Sequence, residues 1–343
     1  MPMRHDTEMK LGVVIPTLNC AHLMEEHVAS MLPWLDRADE IIVVDSHSTD
    51  GTLEILTSRV SHPNLRIYQR PRGLYQAWNF GIAQVKSKYT YVSTVGDSIS
   101  PYGIDHLLNV ADSLNADVII SKPDFINEEG VPIKGPFFPV DKIISMLRIT
   151  EPTRVGTLTC LLFQILTIPG AILGSSASNL YRTDVFQKNP FPTEFGTTGD
   201  GAWGVANVFR YALGVTPERF TIFREHEKAY QKKDYAVSEL NEKLLELMKL
   251  TVENEQRDNP EFNVQYTECG IGEMLTLVTR WLGIQRNLEI ARSRALPWSL
   301  NPWAWMLRSQ RSRCQKRLHD LINTVFQREG HCNIGVKDVY FNI

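Results

Sequence analysis

Residues 40–52 read EIIVVDSHSTDGT, and this stretch combines an apolar run, an acid and a tight polar turn. The run 41–44 has no polar alternation, which predicts a strand buried on both faces. Asp45 ends the run, and Asp50 and Gly51 lie in the turn that follows. Helical spacing of apolar residues resumes over 53–60. The stretch therefore predicts a strand–turn–helix unit with a carboxylate at the end of the strand.

The same alternation continues on both sides of this unit. Predicted strands cover 11–16, 41–45, 65–69 and 89–95, and predicted helices cover 19–35, 53–60 and 74–86. Alternating strands and helices with unbroken apolar strands indicate an α/β fold, with a mostly parallel sheet flanked by helices. In such open sheets, ligands bind at the edge formed by the carboxyl ends of the strands.

The alternation weakens after residue 100, where we predict a helix over 105–114 and a strand over 116–121. From about residue 236 the pattern is helical to the end. We therefore predict two parts, an α/β domain over 1–235 and a helical C-terminal extension over 236–343.

The overall composition excludes several classes of protein. The chain has 343 residues, 43% hydrophobic and 22% charged, which is typical of a globular protein. Its net charge of −3 argues against nucleic-acid binding by bulk electrostatics. The five cysteines are scattered without metal-binding spacing, which indicates reduced thiols in a cytoplasmic protein. The polar N-terminus does not resemble a signal peptide, and Gln164 and Pro169 interrupt the apolar run 155–174, so we expect no membrane span there.

The C-terminal part is rich in tryptophan and in basic residues. Between Arg280 and Arg317 there are nine Lys or Arg residues and one acid, Glu289. Tryptophan favours the lipid headgroup level, and basic side chains are attracted to anionic lipid. Two interpretations stay open: a helical bundle with a solvated basic face, or an element that associates with the inner face of the membrane.

Three acids follow predicted strands or loops at the expected ligand edge: Asp45, Asp97 and Asp200. The phosphate-binding patterns GxGxxG and GxxxxGK[ST] are absent. A bound nucleotide would therefore have to be held by acids, through a metal ion, with Lys or Arg assisting.

Five segments occur along the chain in a characteristic order: VVIPTLN (13–19) with EIIVVDSHSTDGT (40–52), RGLYQAWNFGIAQVKSKYTYVSTVGD (72–97), GSSASNLYRTDVF (174–186), GDGAW (199–203) and FREHEKAY (223–230). In these segments the chain resembles family 2 glycosyltransferases, which have the GT-A fold. The resemblance covers roughly residues 11–230. It implies an inverting enzyme that moves a sugar from a nucleotide-diphosphate sugar to a glycan or a lipid-linked glycan.

The resemblance also implies roles for individual residues. Asp200 matches the base that removes the proton of the acceptor hydroxyl, and Asp97 with His226 matches the ligands of Mn²⁺ or Mg²⁺. The residues expected to contact the nucleotide are Pro16, Thr17, Asn19, Asp45, Ser46, Arg72 and Asp97.

Two positions depart from the family pattern. The family's metal-binding motif has two aspartates around one residue, and here Val95 replaces the first of them. Ser46 replaces a second family acid. These departures support an alternative, a GT-A protein that binds nucleotide-sugar or glycan without catalysis. A nucleotidyltransferase is a weaker alternative, because the basic, Gly-rich N-terminal signature of that class is missing.

Overall fold

The computed structural model of the chain describes residues 9–135, 138–168, 172–225, 237–292 and 302–331. The chain forms two units, Met1–Val155 with Gly170–Asp234 and Gly156–Pro169 with Tyr235–Ile343. We call them the sheet unit and the helical unit. Residues 156–169 of the helical unit lie inside the first of the two predicted domains.

The strands are short. They are β1 (Leu11–Thr17), β2 (Glu40–Asp45), β3 (Leu65–Gln69), β4 (Tyr89–Val92), β5 (Ser98–Ile99), β6 (Val118–Ile120), β7 (Asp124–Ile126), β8 (Thr153–Val155), β9 (Asn179–Arg182), β10 (Leu213–Val215) and β11 (Thr221–Arg224). Four of them, β2, β4, β6 and β10, are buried at every residue.

The helices are α1 (Ala21–Met31), α2 (Thr52–Arg59), α3 (Leu74–Gln84), α4 (Pro101–Leu114), α5 (Pro139–Leu147), α6 (Thr157–Thr167), α7 (Thr183–Lys188), α8 (Gly199–Asn207), α9 (Val237–Asp258), α10 (Pro260–Glu268), α11 (Ile271–Arg292) and α12 (Pro302–Arg328).

Within the described ranges, eight strands form one sheet in the order β3-β2-β1-β4-β9-β6-β10-β8. Strands β1 to β4 pair in parallel, whereas β9 is antiparallel to both β4 and β6. A second sheet has the order β5-β11-β7. The predicted mostly parallel sheet flanked by helices is therefore confirmed.

The register of the sheet brings polar strand ends together. Thr17 lies opposite Asp45 on β2, and Asp45 lies opposite Gln69 on β3. Parallel strands place their carboxyl ends at one edge, so the residues that follow β1, β2, β3 and β4 share that edge.

A buried carboxylate fixes the turn that leads into β4. Glu40, only 1% exposed, accepts hydrogen bonds from the Lys86 N–H (2.6 Å), the Ser87 N–H (2.8 Å) and the Ser87 hydroxyl (2.8 Å). The guanidinium of Arg66 also donates a hydrogen bond to the Glu40 carboxylate. Because every donor meets an acceptor, the start of β4 is fixed relative to β2, and with it the loop that carries Asp97.

The helical unit contains the most apolar helix, α6. The backbone N–H groups of Leu158 and Thr159 at its first turn donate to the carboxylate of Glu329, each at 3.0 Å, and Phe163 packs against Phe326. An anion at a helix N-terminus satisfies donors that have no partner inside the helix. In the described part of the chain, no helix combines the length and apolarity needed to cross a membrane.

The tryptophans of the tail occupy different environments. Trp281 is buried with Ile284, Leu288 and Leu307, and the guanidinium carbon of Arg311 lies 4.8 Å from the centre of its ring. Trp305 is 64% exposed. Trp298 lies outside the described residues. One tryptophan therefore belongs to the core of the helical unit and one to its surface.

Helix α3 packs tightly on β1 and β2 at Gly81. A Cβ atom at this position would lie 2.5 Å from Val14 Cγ1 and 3.1 Å from Val44 Cγ2. We expect Gly81→Ala to lower the free energy of unfolding by about 1–3 kcal/mol, because the added methyl group overpacks the helix–sheet contact. Urea unfolding of the two proteins measures the change.

Gly283, in α11, provides the control, since a Cβ atom there would meet no atom within 4 Å. Gly283→Ala should leave stability unchanged or raise it by up to about 1 kcal/mol through helix propensity. Equal effects of the two substitutions would contradict the close packing at Gly81.

Candidate active site

Asp45, at the end of β2, is fully buried and is surrounded by hydrogen-bond donors. Its carboxylate accepts from Thr17 Oγ1 (2.8 Å), the Ser48 N–H (2.9 Å), Ser48 Oγ (2.6 Å) and Gln69 Nε2 (3.3 Å). Burial acts to raise the pKa of Asp45, but these hydrogen bonds outweigh it, and the pKa is lower than usual. Asp45 therefore stays ionised at neutral pH.

The loop after β1 and the loop after β2 are joined through Asn19, which is exposed and has a φ of +45°. Its side-chain oxygen accepts from the Thr49 N–H at 2.9 Å, and its own N–H donates to Ser48 Oγ at 2.9 Å. Nearby, the Ser46 N–H donates to the carbonyl of Thr17 at 2.9 Å. The structure thus brings Thr17, Asn19, Asp45 and Ser46 into one hydrogen-bonded group next to Pro16.

Asp97 lies in a turn beyond β4 and is 5% exposed. Its Oδ1 accepts from the backbone N–H of Arg224 at 2.9 Å. Burial raises the pKa of Asp97 to about 7, although the Arg224 N–H and the charge of Arg224 act in the opposite direction. In the described residues no hydrogen bond reaches Oδ2, so this oxygen is available to a ligand.

The guanidinium of Arg224 holds the turn that contains Asp97. The side chain is 4% exposed and donates to the carbonyl oxygens of Gly96 (3.4 Å) and Glu128 (2.7 Å), and to the carboxylate of Glu26. This single residue links β11, the loop after β7, α1 and the Asp97 turn. Sequence reasoning did not single it out, although it lies within the FREHEKAY segment.

His27, on α1, supports the same turn from inside the core. Its Nδ1 lies 3.1 Å from the carbonyl oxygen of Asp97, and its Nε2 lies 3.2 Å from Ser93 Oγ. Burial lowers the pKa of His27 to about 4, against the effect of its bond to Asp97. The imidazole is therefore neutral at pH 7: Nδ1–H donates to the carbonyl, and Nε2 accepts from the Ser93 hydroxyl.

Val95 belongs to the apolar core of the sheet unit, together with Ile15, Met24 and Ile99, and is 8% exposed. Strand β4 ends at Val92, so the strand alternation that would aim residue 95 at the ligand edge does not extend to it. An aspartate here would be buried among apolar side chains. Asp97 thus lacks the neighbouring acid of the family motif.

Asp200, in the first turn of α8, is half-buried beside Tyr75 of α3. Its Oδ1 accepts from the Gly201 N–H at 2.7 Å. Burial raises the pKa of Asp200 to about 6, while the Gly201 N–H and the Tyr75 hydroxyl act to lower it. The Tyr75 hydroxyl also lies 3.3 Å from the carbonyl oxygen of Thr197, and burial with the charge of Asp200 keeps the pKa of Tyr75 well above its usual value.

An aromatic cluster fixes the position of Asp200. Tyr75 stacks on Phe191 with a centroid distance of 5.3 Å, and Trp203 stacks on Phe186 at 4.0 Å. Trp203 has no exposed surface, so it fills the core and does not stack on a sugar ring. Asn79 exchanges two hydrogen bonds of 2.8 Å with the backbone of Phe191 and is structural. Tyr75 was missed at the sequence level because nothing in its local pattern distinguishes it from a core aromatic residue.

The remaining predicted residues are less constrained. Arg72 is exposed, whereas the neighbouring Arg70 packs over the Phe80 ring at 5.1 Å and donates to the carbonyl of Gln76 at 2.9 Å. His226 lies outside the described residues. Among those that are described, no group of three or more His, Cys, Asp or Glu side chains could hold a metal ion.

Comparison with known proteins matches the part of the chain that carries Asp45 and Asp97, whereas Asp200 lies outside the matched part. Residues 12–167 match the family model described as glycosyl transferase family 2. An uncharacterised glycosyltransferase of Rickettsia prowazekii (strain Madrid E) is 32% identical over 111 residues, which cover 32% of this chain and 35% of that protein. Poly(ribitol-phosphate) beta-N-acetylglucosaminyltransferase TarS of Staphylococcus aureus (strain MW2) is 26% identical over 203 residues, 56% of this chain and 31% of TarS. The chain spans about a third of the length of these curated relatives.

The similarity in fold covers more of the chain than the matched residues 12–167. The crystal structure of S. aureus TarS 1-349 in complex with UDP-GlcNAc superposes with a TM-score of 0.53 at 19% identity, over 94% of this chain and 93% of that chain. The chain therefore has the GT-A fold with a helical C-terminal part, and its residues 12–167 match glycosyl transferase family 2.

Proposed function

We propose that the chain is an inverting glycosyltransferase that moves a sugar from a nucleotide-diphosphate sugar to a hydroxyl group of a glycan or a lipid-linked glycan. The observation that carries the proposal is the environment of Asp200. A carboxylate whose pKa is raised to about 6, held on a rigid helix beside Tyr75, is suited to accept a proton near neutral pH.

In the proposed reaction the acceptor oxygen attacks the anomeric carbon from the face opposite the diphosphate. Asp200 takes the proton of that hydroxyl as the new C–O bond forms. The bond between the anomeric carbon and the diphosphate oxygen breaks, and its electron pair leaves with the nucleotide diphosphate. Attack from the opposite face inverts the anomeric centre.

The hydrogen-bonded group around Asp45 supports the nucleotide end of the donor. Asp45 is ionised and fully buried, and four protein donors fill its acceptor sites, so a ribose or base would take the place of one of these donors. The ends of β1 and β2 and the loops that follow them contain Thr17, Asn19 and Ser46. The exposed guanidinium of Arg72 can bind the phosphates of the donor. UDP-GlcNAc is the donor present in the TarS complex, so a UDP-sugar is the first donor to test here.

Asp97 suits a hard divalent cation such as Mn²⁺ or Mg²⁺ in one respect: it offers one carboxylate oxygen that no described donor occupies. Such a cation takes oxygen ligands, and the donor diphosphate and water supply several of them. We assign Asp97 and His226 as the protein ligands. The ion would neutralise the charge that develops on the departing diphosphate.

The alternative is a GT-A protein that binds nucleotide-sugar or glycan without turnover, and the burial of Val95 in the apolar core favours it. Only one carboxylate is left for the metal, and burial raises its pKa to about 7, so part of it is protonated at neutral pH. The two functions differ in a single measurable respect, the transfer of sugar to an acceptor.

Replacement of the proposed base, Asp200, tests the catalytic function. Asp200→Asn keeps an oxygen that can accept from the Gly201 N–H but cannot take a proton. We expect kcat to fall by about 10²–10⁴-fold, with the Kd for the nucleotide-sugar unchanged, because a general base contributes about that much to rate. Measurements of transfer and of donor binding test this, and near wild-type transfer by the variant would exclude Asp200 as the base.

Thermal melts provide the control for folding. The folded-state pKa of Asp200 is raised to about 6, above its ordinary 3.8, so ionisation of this group costs stability as pH rises from about 4 to 6. Asp200→Asn should therefore melt at a higher temperature than wild type at pH 8, and the difference should vanish below pH 3.8. A variant less stable at pH 8 would show that the lost transfer reflects damage to the fold.

The role of Asp97 has its own test. Asp97→Asn keeps an acceptor for the Arg224 N–H and removes the charge, so we expect Mn²⁺ no longer to strengthen UDP binding. Calorimetric titrations of UDP with Mn²⁺ and with EDTA measure this. Asp124→Asn, an exposed acid of the neighbouring sheet, is the control and should behave as wild type. If the metal effect persists in Asp97→Asn, Asp97 is not a ligand.

We also propose a cytoplasmic location at the inner face of the membrane, where a lipid-linked acceptor would be found. The support lies on α12, where Trp305 is 64% exposed and Met306 is 49% exposed. Residues 302–317 also contain five Lys or Arg residues and no acidic residue. Exposed aromatic and basic side chains on one helix are typical of elements that lie on anionic lipid.

Sedimentation with phosphatidylglycerol vesicles tests this location. Trp305→Ser should reduce the bound fraction at least about threefold, because the indole supplies most of the apolar contact. Leu250→Ser removes a comparable exposed apolar side chain (55% exposed) from α9 and should have no effect. Equal binding to neutral phosphatidylcholine vesicles would contradict a role for the basic residues.

A further inference from the structure

The helical unit contains a cleft of about 460 Å³ that the proposed reaction does not use. Three helices line it: α9 through Lys249 and Glu253, α10 through Tyr266, and α11 through Thr276, Thr279 and Arg280. On α11 these residues are three and four positions apart, so they lie on one face of the helix.

The charged groups of the cleft are not used in ion pairs with the described residues. Lys249 is half-buried, and Arg280 and Glu253 are exposed. By contrast, Arg286, on the next turns of α11, pairs with Glu242, and Arg317 pairs with Glu273. Two cations and one carboxylate therefore give the cleft a net positive charge, which favours an anionic ligand.

The neutral groups of the cleft add acceptors. Thr276 Oγ1 donates its proton to the carbonyl of Gly272 at 2.9 Å, and Thr279 Oγ1 donates to the carbonyl of Leu275 at 2.7 Å. Because each hydroxyl donates its only proton to a carbonyl oxygen of its own helix, it can only accept hydrogen bonds from a ligand in the cleft. Glu253 is likewise an acceptor when ionised. These groups complement a ligand that brings O–H donors of its own.

Tyr266 supplies an aromatic surface, and Gly272 of α11 leaves the space that the Tyr266 side chain occupies. A Cβ atom at Gly272 would lie 2.2 Å from the Tyr266 hydroxyl oxygen, so only glycine lets the phenol approach α11. The phenol has an apolar ring and a polar tip, the combination that suits the mixed faces of a sugar. The cleft thus offers cations for an anion, acceptors for hydroxyl groups and a ring for C–H groups.

We propose that this cleft is a binding site for an anionic carbohydrate, a hydroxyl-rich chain or unit that carries phosphate. Lys249 and Arg280 bind the phosphate, and Thr276, Thr279 and Glu253 accept hydrogen bonds from the hydroxyl groups. The inference concerns binding by the helical unit and does not rest on the transfer reaction of the sheet unit.

Calorimetric titration of the full chain with glucose 6-phosphate tests the site, with excess UDP present to occupy the donor site. Glucose is the neutral reference and should bind at least about tenfold more weakly, since it lacks the anion. Lys249→Gln should weaken binding of glucose 6-phosphate by about tenfold. Glu253→Gln should strengthen it by about threefold, because it removes a charge that repels the phosphate while the glutamine oxygen still accepts from a hydroxyl group.

Arg286→Gln is the control, because it removes one positive charge from the helical unit, as Lys249→Gln does, but at a position outside the cleft. Its affinity should stay within about twofold of wild type. The full pattern, weaker with Lys249→Gln, stronger with Glu253→Gln and unchanged with Arg286→Gln, supports the site. Equal binding of glucose and its phosphate, or equal affinity in all variants, overturns it.

Discussion

Burial and the hydrogen bonds that the protein donates set the pKa of Asp45, Asp97 and Asp200 in opposite directions. Asp45 receives four and stays ionised below its usual pKa. Asp97 receives one at Oδ1, and burial raises its pKa to about 7. Burial raises the pKa of Asp200, which lies beside Tyr75, to about 6. The same side chain thus occurs in three different environments, for which we propose the roles of a fixed acceptor, a ligand and a base.

These environments require rigid loops, and the rigidity comes from side chains that bridge distant elements. Arg224 reaches the Asp97 turn across 127 residues of sequence, and Asn19 joins two loops 30 residues apart. Neutral His27 supports the Asp97 carbonyl from the core. Groups held this way change little when a substrate binds, so less binding energy is needed to order them.

The sequence predicts local elements well where hydrophobic pattern alone decides them. Strands β2 and β3 end at the predicted residues, because each apolar run is followed by a polar turn. Long-range features were not predictable: β9 inserts antiparallel between β4 and β6, and α6 belongs to the helical unit. The partners of Asp97 and Asp200 were missed for the same reason, since Arg224 and Tyr75 are brought to them only by the tertiary fold. The family resemblance predicts Thr17 and Asp45 at one site, and the two residues do lie together because adjacent parallel strands end side by side.

The protonation of the three carboxylates tests this account most directly. Carboxyl carbon NMR of the chain labelled at aspartate, assigned with Asp→Asn variants, follows each group through a pH titration. The account predicts a midpoint near 6 for Asp200, one near 7 for Asp97 without metal, and one below 3.8 for Asp45. An Asp200 that titrates near 3.8, as a solvated aspartate does, would contradict its role as the base.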